Sequence, residues 1–389
     1  DYPGELKSLR IGDTVNRPGA WGRSLRFGGI QYATNFGTQP GLQTLPPQSA
    51  VGQAVLPSTV DVFLNNALVS RQSVPPGPFS INNLPAVSGS GEVRLVVRDL
   101  FGREQVITQP FYASQGLLRE GLVDFSYDIG LARENFGINS FDYGSAIASG
   151  TYRRGMSPGF TAEVHGEAMR GQATVGGGGD YLMRQLGSLS GYVAGSHAPA
   201  GNGGLMQLGI DRQARPWSLG ARTQWMSRRF AQIGRLPEQL PPVQTSSANL
   251  SYATGTLGSV GLAYVVQNNR DLPDARIATL SYSVSLGRWA AFSFSAIHSL
   301  VEDKSTTLLA MLTIPLNQST SLSLGAQSVR GASAGKTADF TATLQRNLPL
   351  GEGYGYRLLA RSDGRKVFYC PRFGIQLRRN WPAPRLSPR

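Results

Sequence analysis

From Leu122 to about Gly364 apolar and polar residues alternate with a period of two, the period of a β-strand with two unlike faces. Val123, Phe125, Tyr127 and Ile129 alternate with Asp124, Ser126 and Asp128. Phe160, Ala162, Val164 and Ala168 alternate with Thr161, Glu163, His165 and Glu167. Trp217, Leu219 and Ala221, then Leu280, Tyr282, Val284 and Leu286, then Leu308 to Leu316, then Phe340, Ala342 and Leu344, repeat the pattern. Segments of about ten residues with one apolar and one polar face, joined by short turns, mark a transmembrane antiparallel β-barrel. Residues 6–15 and 23–35 predict a hairpin of the same kind around a Pro18-Gly19 turn. The count is roughly two strands before residue 45 and fifteen after residue 110.

Residues 45–110 break this rhythm. They open on Leu45-Pro46-Pro47 and hold Val60, Val62 and Leu64 on one strand face and Val93, Leu95 and Val97 on another. They read as a small, soluble β-sandwich with a modest core of its own. The predicted fold is therefore all-β, a large barrel with an inserted sandwich. The organisation is barrel hairpin 1–44, insert 45–110, barrel strands 111–364 and an irregular, basic tail 365–389. That tail reads as disordered or as out-of-frame sequence. A domain set inside a barrel can close it, which points to a gated pore rather than an enzyme. The one long connection, Arg228 to Gln244, reads as a surface loop facing outward from the cell.

Composition narrows the alternatives. Glycine numbers 48 in 389 residues and charged residues make up 16%, below the roughly 25% of soluble domains. No run of about 18 apolar residues predicts a transmembrane helix. The net charge of +13 is concentrated in residues 365–389, which carry seven basic and no acidic residues. No basic groove follows, and no nucleic-acid partner is expected. Cys370 is the only cysteine, so no intrachain disulfide and no multi-cysteine metal site is expected.

The residues also resemble a known family. Trp21-Gly22-Arg23 through Phe27-Gly28-Gly29-Ile30-Gln31-Tyr32-Ala33-Thr34-Asn35-Phe36 is the strongest block. Pro57-Ser58-Thr59-Val60-Asp61-Val62, Gly77-Pro78-Phe79-Ser80-Ile81, Val97-Arg98-Asp99-Leu100-Phe101-Gly102-Arg103-Glu104-Gln105 and Phe111-Tyr112-Ala113-Ser114 follow in order. The series resembles the outer-membrane ushers of chaperone–usher pilus (fimbria) assembly. The resemblance implies a Gram-negative outer-membrane barrel of twenty-four strands, with a plug domain between the sixth and seventh. Residues 45–110 stand where the plug would be, and residues 9–35 where strands five and six would be. It implies a pore that passes pilin subunits, delivered as periplasmic chaperone–subunit complexes, into a growing pilus fibre. The energy would come from donor-strand exchange rather than a nucleotide. Outer-membrane lipid and a second copy in a homodimer are further implied partners. Periplasmic domains at both ends of a complete usher have no counterpart here. The chain reads as an internal piece, a partial barrel with its plug, and is not expected to assemble pili alone. A passive porin-type diffusion channel is the alternative. Porin constrictions come from an infolded loop, however, and this insert is large and has its own core.

No catalytic residue, cofactor or metal site is predicted. Glu163, His165 and Glu167 share one strand face, neighbours about 7 Å apart. A soluble enzyme could use such a set for acid–base work, but a barrel makes it a polar lumen wall. Gly176 to Gly179 lacks the Lys-Ser/Thr and the helix of a phosphate loop and predicts a strand bend. The insert charges Arg71, Arg94, Arg98, Asp99, Arg103 and Glu104 are gating candidates. They would either pair with lumen-facing Asp124, Asp128, Glu163 and Glu167, latching the insert, or merely solubilise it.

Overall fold

The computed structural model describes residues 1–376, except residues 47, 55, 66, 85–88, 100, 115, 184–185, 236–238, 302–303, 332–334, 349–352 and 363–366. Strands and three single 3-10 turns are its only regular elements among these residues. β1 (Lys7–Val15) and β2 (Arg26–Thr34) precede the insert. The insert holds β3 (Gln48–Ala54), β4 (Ser58–Leu64), β5 (Ala67–Val74), β6 (Gly77–Leu84), β7 (Gly89–Asp99) and β8 (Glu104–Ala113). After it come β9 (Val123–Arg133), β10 (Tyr143–Ser157), β11 (Phe160–Met169), β12 (Gln172–Met183), β13 (Gly187–Ala198), β14 (Gly201–Gln213) and β15 (Trp217–Met226). β16 (Gln244–Ala253), β17 (Ser259–Asn268), β18 (Ala275–Leu286), β19 (Ala290–Ser299), β20 (Thr306–Pro315), β21 (Thr320–Gly331), β22 (Gly335–Arg346), β23 (Gly353–Ser362) and β24 (Val367–Gln376) complete the chain.

The chain divides into two compact units, Asp1–Leu250 with Val265–Asp274 and Ser251–Tyr264 with Ala275–Arg389. In the first, β1 pairs with β2, β2 with β9, and β9 to β15 pair in succession, all antiparallel. Two adjacent rows across these strands show what kind of wall this is. Ile11, Ile30, Ile129, Ala148 and Ala168 face one another from strand to strand. The three isoleucines are 77%, 51% and 68% exposed. One position along, Gln31, Asp128, Ser149, Glu167, Thr174 and Ser196 form the next row, and every one is buried. The sheet hides its polar face and presents its apolar one, the reverse of a water-soluble sheet. Monomers in water rarely leave so continuous an apolar surface uncovered, whereas a barrel wall in lipid requires it.

The second unit repeats the arrangement on its own. Tyr282, Phe294, Ala310, Ala326 and Phe340 align across β18 to β22, and Phe340 is exposed. Its last strand is a correction to the sequence reading. Val367–Gln376 lies within the expected irregular tail, yet pairs antiparallel with β23 over its whole length. The sequence Val367, Tyr369, Phe373, Ile375 does alternate; Pro371 and the proline-rich stretch after it masked the period. Residues 377–389 lie outside the described residues.

The insert is a true sandwich. β5, β4, β7 and β8 form one sheet in that order, and β3 pairs with β6 in the other. Val60, Val62, Leu64, Val93, Leu95 and Val97 are buried between them with Ala50, Ala54 and Ile81. This core is separate from the apolar clusters on the wall.

The glycine run is also corrected. Gly176–Gly179 lie inside β12, which pairs with β11 and β13 without a register shift. A Cβ added at Gly178 would meet the Gly191 carbonyl oxygen at 2.0 Å. These glycines allow close approach of neighbouring backbones rather than a bend.

Candidate functional site

The polar wall face gathers its charge around Arg153 on β10. Arg153 Nε lies 3.0 Å from Glu163 Oε2 on β11, Nη2 3.6 Å from Asp180 Oδ2 on β12 and Nη1 4.0 Å from Asp124 Oδ2 on β9. Arg17, from the β1–β2 connection, donates to Asp124 Oδ1 at 3.1 Å. Tyr192 on β13 donates to Asp180 Oδ2 at 3.0 Å. Strand alternation explains the set, since every second residue of five neighbouring strands must face the same way. The carboxylates are taken from water, so each needs a cation or donors. A polar cavity of 390 Å³ opens among Arg17, Ala20, Asp124, Arg153, Glu163 and Tyr192.

Two connections fold onto this face. The β1–β2 connection, residues 16–25, turns at Pro18-Gly19 and sets the Ala20 N–H 2.6 Å from Glu163 Oε1. Gly19 has φ +63°, and a Cβ there would sit 2.6 Å from the same Oε1, so glycine suits both the turn and the approach. Trp21 is buried with its ring 4.8 Å from the His165 ring, edge-on. The β15–β16 connection, residues 227–243, meets it from the other side. Phe230 and Ile233 are buried. Gln232 donates to the Trp21 carbonyl at 2.8 Å, and the Ile233 N–H donates to Glu167 Oε2 at 3.0 Å. The sequence reading of Arg228–Gln244 as a surface loop is thereby corrected: its middle covers polar wall residues. By covering the His165–Glu167 pair the connection excludes water, and its Ile233 N–H replaces that water at a Glu167 oxygen that would otherwise be desolvated without a donor.

His165 is held on three sides. Thr151 Oγ1 lies 2.8 Å from Nδ1, and Glu167 Oε1 lies 3.0 Å from Nε2. Thr151 donates its single proton to the Arg17 carbonyl at 2.7 Å. Nδ1 is therefore the donor to Thr151, and Nε2 faces the Glu167 carboxylate. Among the described residues no cation pairs with Asp128; Gln31, Ser126 and Ser149 donate to it at 2.8, 3.1 and 3.0 Å.

All five lumen-facing candidates thus share one buried polar face: Asp124, Asp128, Glu163, His165 and Glu167. The insert charges do not meet them. Asp61 and Arg71 are register partners on β4 and β5 and form an ion pair. Arg98 and Glu104 are register partners on β7 and β8, with Arg98 Nε 2.9 Å from Glu104. Arg103 Nε donates to Asp99 at 2.7 Å across the same turn. Arg94 lies over the ring of its partner Phe63 at 5.0 Å. Cross-strand neighbours are fixed within reach, so these local pairs form in place of the expected latch. What ties the insert to the wall is its return segment. Arg153 Nη2 donates to the Gly116 carbonyl at 2.8 Å, and the Leu118 N–H donates to Thr161 Oγ1 at 2.8 Å. Sequence reasoning missed Arg17, Arg153, Asp180 and Tyr192. Their parity along β9 to β13 was the available signal for all but Arg17. Among the described residues no cluster of His, Cys, Asp and Glu could hold a metal ion.

The profile of the family described as outer membrane usher protein matches residues 6–204, about half of the chain. The chain is similar to the outer membrane usher protein FaeD of Escherichia coli, 27% identical over 222 residues, 56% of this chain and 26% of that protein. It is similar to LpfC of Salmonella typhimurium, 33% identical over 126 residues, 32% of this chain and 15% of that protein. The matches span about a quarter or less of these relatives. Among solved structures, the usher PapC translocation pore matches with a TM-score of 0.53 at 18% identity, covering 96% of this chain and 82% of that one. The E. coli P pilus tip assembly intermediate PapC-PapD-PapK-PapG matches with a TM-score of 0.63 at 17% identity, covering 95% of this chain and 51% of that one. The likeness fixes the fold as that of a transmembrane antiparallel β-barrel.

Proposed function

We propose that this chain, which belongs to the outer membrane usher family, forms part of a plugged translocation pore. The wall faces outer-membrane lipid with its apolar rows. The sandwich of β3 to β8 is the plug, and the polar face around Arg153 is the lumen surface it works against. The pore passes folded pilin subunits, brought by a periplasmic chaperone, into a pilus fibre. Its work is transport and ordering, without bond-making chemistry by its own side chains. The observation that carries this reading is the inverted wall, polar and buried on one side, apolar and exposed on the other, interrupted by a separately cored domain. The return segment of that domain is hydrogen-bonded to the polar side.

The reading is tested by planar-bilayer conductance of the reconstituted chain and of a variant with residues 45–110 replaced by a short linker. The intact chain should conduct little, and the deletion should give large, steady channels. Equal conductance of the two would remove the plug role.

A further inference from the structure

The β9–β10 connection, residues 134–142, holds three large apolar side chains in the open. Phe136, Ile138 and Phe141 are 53%, 83% and 86% exposed. The connection is firmly built. Glu134 N–H donates to the Asp142 carbonyl at 2.9 Å, and Ile138 and Asn139 N–H donate to the Asn135 carbonyl at 3.0 and 3.1 Å. Asn135 Nδ2 donates to the Asp142 carboxylate at 2.8 Å, and Arg133 Nη2 to the Asn139 carbonyl at 3.1 Å. Asn135 and Phe141 have φ +43° and +59°, a region that is rare for a bulky side chain. Nothing about a water-exposed turn rewards a phenylalanine there.

Its place in the fold shows what surrounds it. Within the first unit, antiparallel alternation puts residues 134–142 at the same end as connections 16–25 and 227–243. Turns 158–159 and 214–216 lie at the opposite end. In outer-membrane barrels the long connections are extracellular and the short ones periplasmic. Turns 170–171 and 199–200 share this end and the insert leaves from the opposite one, but the three long wall connections of this unit all lie at the end with residues 134–142, which is therefore the outer-leaflet end. Arg133 continues the outward row of Ile129 and Leu131 on β9, and Arg26 that of Ile30 on β2. The Phe136 ring lies 4.1 Å from the Arg26 guanidinium and 5.9 Å from that of Arg133; the Tyr143 ring is 4.8 Å from Arg133. Asp13 serves both Tyr143, whose hydroxyl donates to it at 2.7 Å, and Arg133, 3.4 Å away. Glu134 lies beside Gly144, and Asp142 is taken by Asn135. The Arg133 side chain is 8% exposed, with Nη1 buried and Nη2 on the Asn139 carbonyl, so it braces the connection from beneath, whereas Arg26 is exposed. At the opposite end of the outward face Arg212 lies 5.2 Å over Trp217. Arginine–aromatic pairs therefore bracket the apolar band at both levels where lipid headgroups lie.

We propose that Phe136, Ile138 and Phe141, with Arg26, anchor this sector of the wall in the outer lipid leaflet. The apolar side chains sit among acyl chains at the headgroup boundary. The exposed Arg26 guanidinium takes phosphate oxygens of the same lipids, the geometry a planar fork suits. The proposal rests on the barrel reading above, and its test separates the two.

Single cysteines are placed at Ile138, Phe141, Ile129 and Phe101 in a Cys370→Ser background and spin-labelled. The full chain is reconstituted in phosphatidylethanolamine–phosphatidylglycerol vesicles. Accessibility to oxygen, which partitions into lipid, is compared with that to a water-soluble nickel chelate. Labels at 138 and 141 should match the lipid-facing reference at 129 and exceed the insert-tip reference at 101 several-fold in oxygen-to-nickel ratio. In Arg26→Gln the ratio at 141 should fall toward the water value while that at 129 holds. If 129 reads as lipid and both 138 and 141 read as water, the anchor is refuted and the barrel stands. An unchanged ratio at 141 in Arg26→Gln overturns the phosphate contact. If 129 itself reads as water, the barrel reading falls and the anchor with it.

Discussion

Arg153 is where the wall and the insert share one side chain, so its removal is the sharpest test of the site. Its guanidinium faces Glu163, Asp180 and Asp124 and also holds the Gly116 carbonyl. In Arg153→Gln, Asp124 keeps Arg17, Asp180 keeps the Tyr192 hydroxyl and Glu163 keeps the Ala20 N–H. Glu163 is the most buried of the three, at 3% exposure, and suffers most. Removing one partner of a buried ion pair costs about 3–5 kcal/mol. A charge-assisted hydrogen bond such as that to Gly116 adds about 1.5–3 kcal/mol. Arg153 is 23% exposed, so water entering the cavity offsets part of both, and we expect a net loss of about 3 kcal/mol. Arg153→Lys should recover only part, because an ammonium cannot fork between three carboxylates and a carbonyl. Glu163→Gln retains an acceptor for Ala20, so the Arg153→Gln/Glu163→Gln pair should show a coupling of about 1–2 kcal/mol. The assay is urea unfolding in lipid vesicles, followed by the gel-mobility shift that closed barrels show on boiling. A loss below about 1 kcal/mol, or strictly additive single and double variants, would refute the charge-hub reasoning.

Trp21→Ala should cost about 3–5 kcal/mol and expose both infolded connections, seen as faster protease cleavage within residues 16–25 and 227–243; unchanged cleavage would show that Trp21 does not hold them. Glu167→Gln should keep an acceptor for the Ile233 N–H, while Glu167→Ala strands it at about 1–3 kcal/mol, so only the alanine variant should loosen residues 227–243. Leu95→Ala should cost the insert about 2–4 kcal/mol and make it protease-sensitive in the full chain without altering the barrel's mobility shift, since the two cores are separate. Arg71 holds the Asp61 carboxyl below the usual carboxylate range. That contribution is complete above the unfolded value and fades as pH falls through the lower folded one, so the insert should become more protease-sensitive below about pH 4; Arg71→Gln should abolish this added sensitivity.

The wall was legible because lipid and a polar interior impose opposite chemistry on alternate residues. Phe125, Tyr127 and Ile129 against Ser126 and Asp128 state the rule within one strand, and the two rows through Ile129 and Asp128 repeat it across the sheet. β24 escaped notice because Pro371 interrupts a short period, and proline in a strand ordinarily argues against one. A single proline lacks one donor, however, and β24 keeps its register with β23 through Leu358 and Pro371. The insert's charges were legible as charges but not as pairs. Register decides pairing, and register within residues 45–110 depends on where each turn falls. Once Asp61 is opposite Arg71 and Arg98 opposite Glu104, those charges have partners within reach.

The infolded connections were the least legible part, and the reason is physical rather than accidental. Much of their contact runs through backbone atoms: the Ala20 N–H reaches Glu163 and the Ile233 N–H reaches Glu167 on the wall, while the Trp21 carbonyl, taking the Gln232 side-chain amide, joins the two connections. Backbone donors carry no residue signature, so composition cannot announce them. Their need is nevertheless written on the other side of the contact. Glu163, His165 and Glu167 on consecutive same-face positions of β11 leave more acceptors than Arg153 alone can serve. Buried acceptors must be satisfied by protein or water. A strand with three titratable groups on its polar face therefore requires either an open, wet lumen or a segment that brings donors to it. The structure shows the second solution. Anything that widens this lumen must supply water to Glu163 and Glu167 as Ala20 and Ile233 withdraw, so opening here exchanges backbone donors for solvent and leaves the carboxylates satisfied in both states.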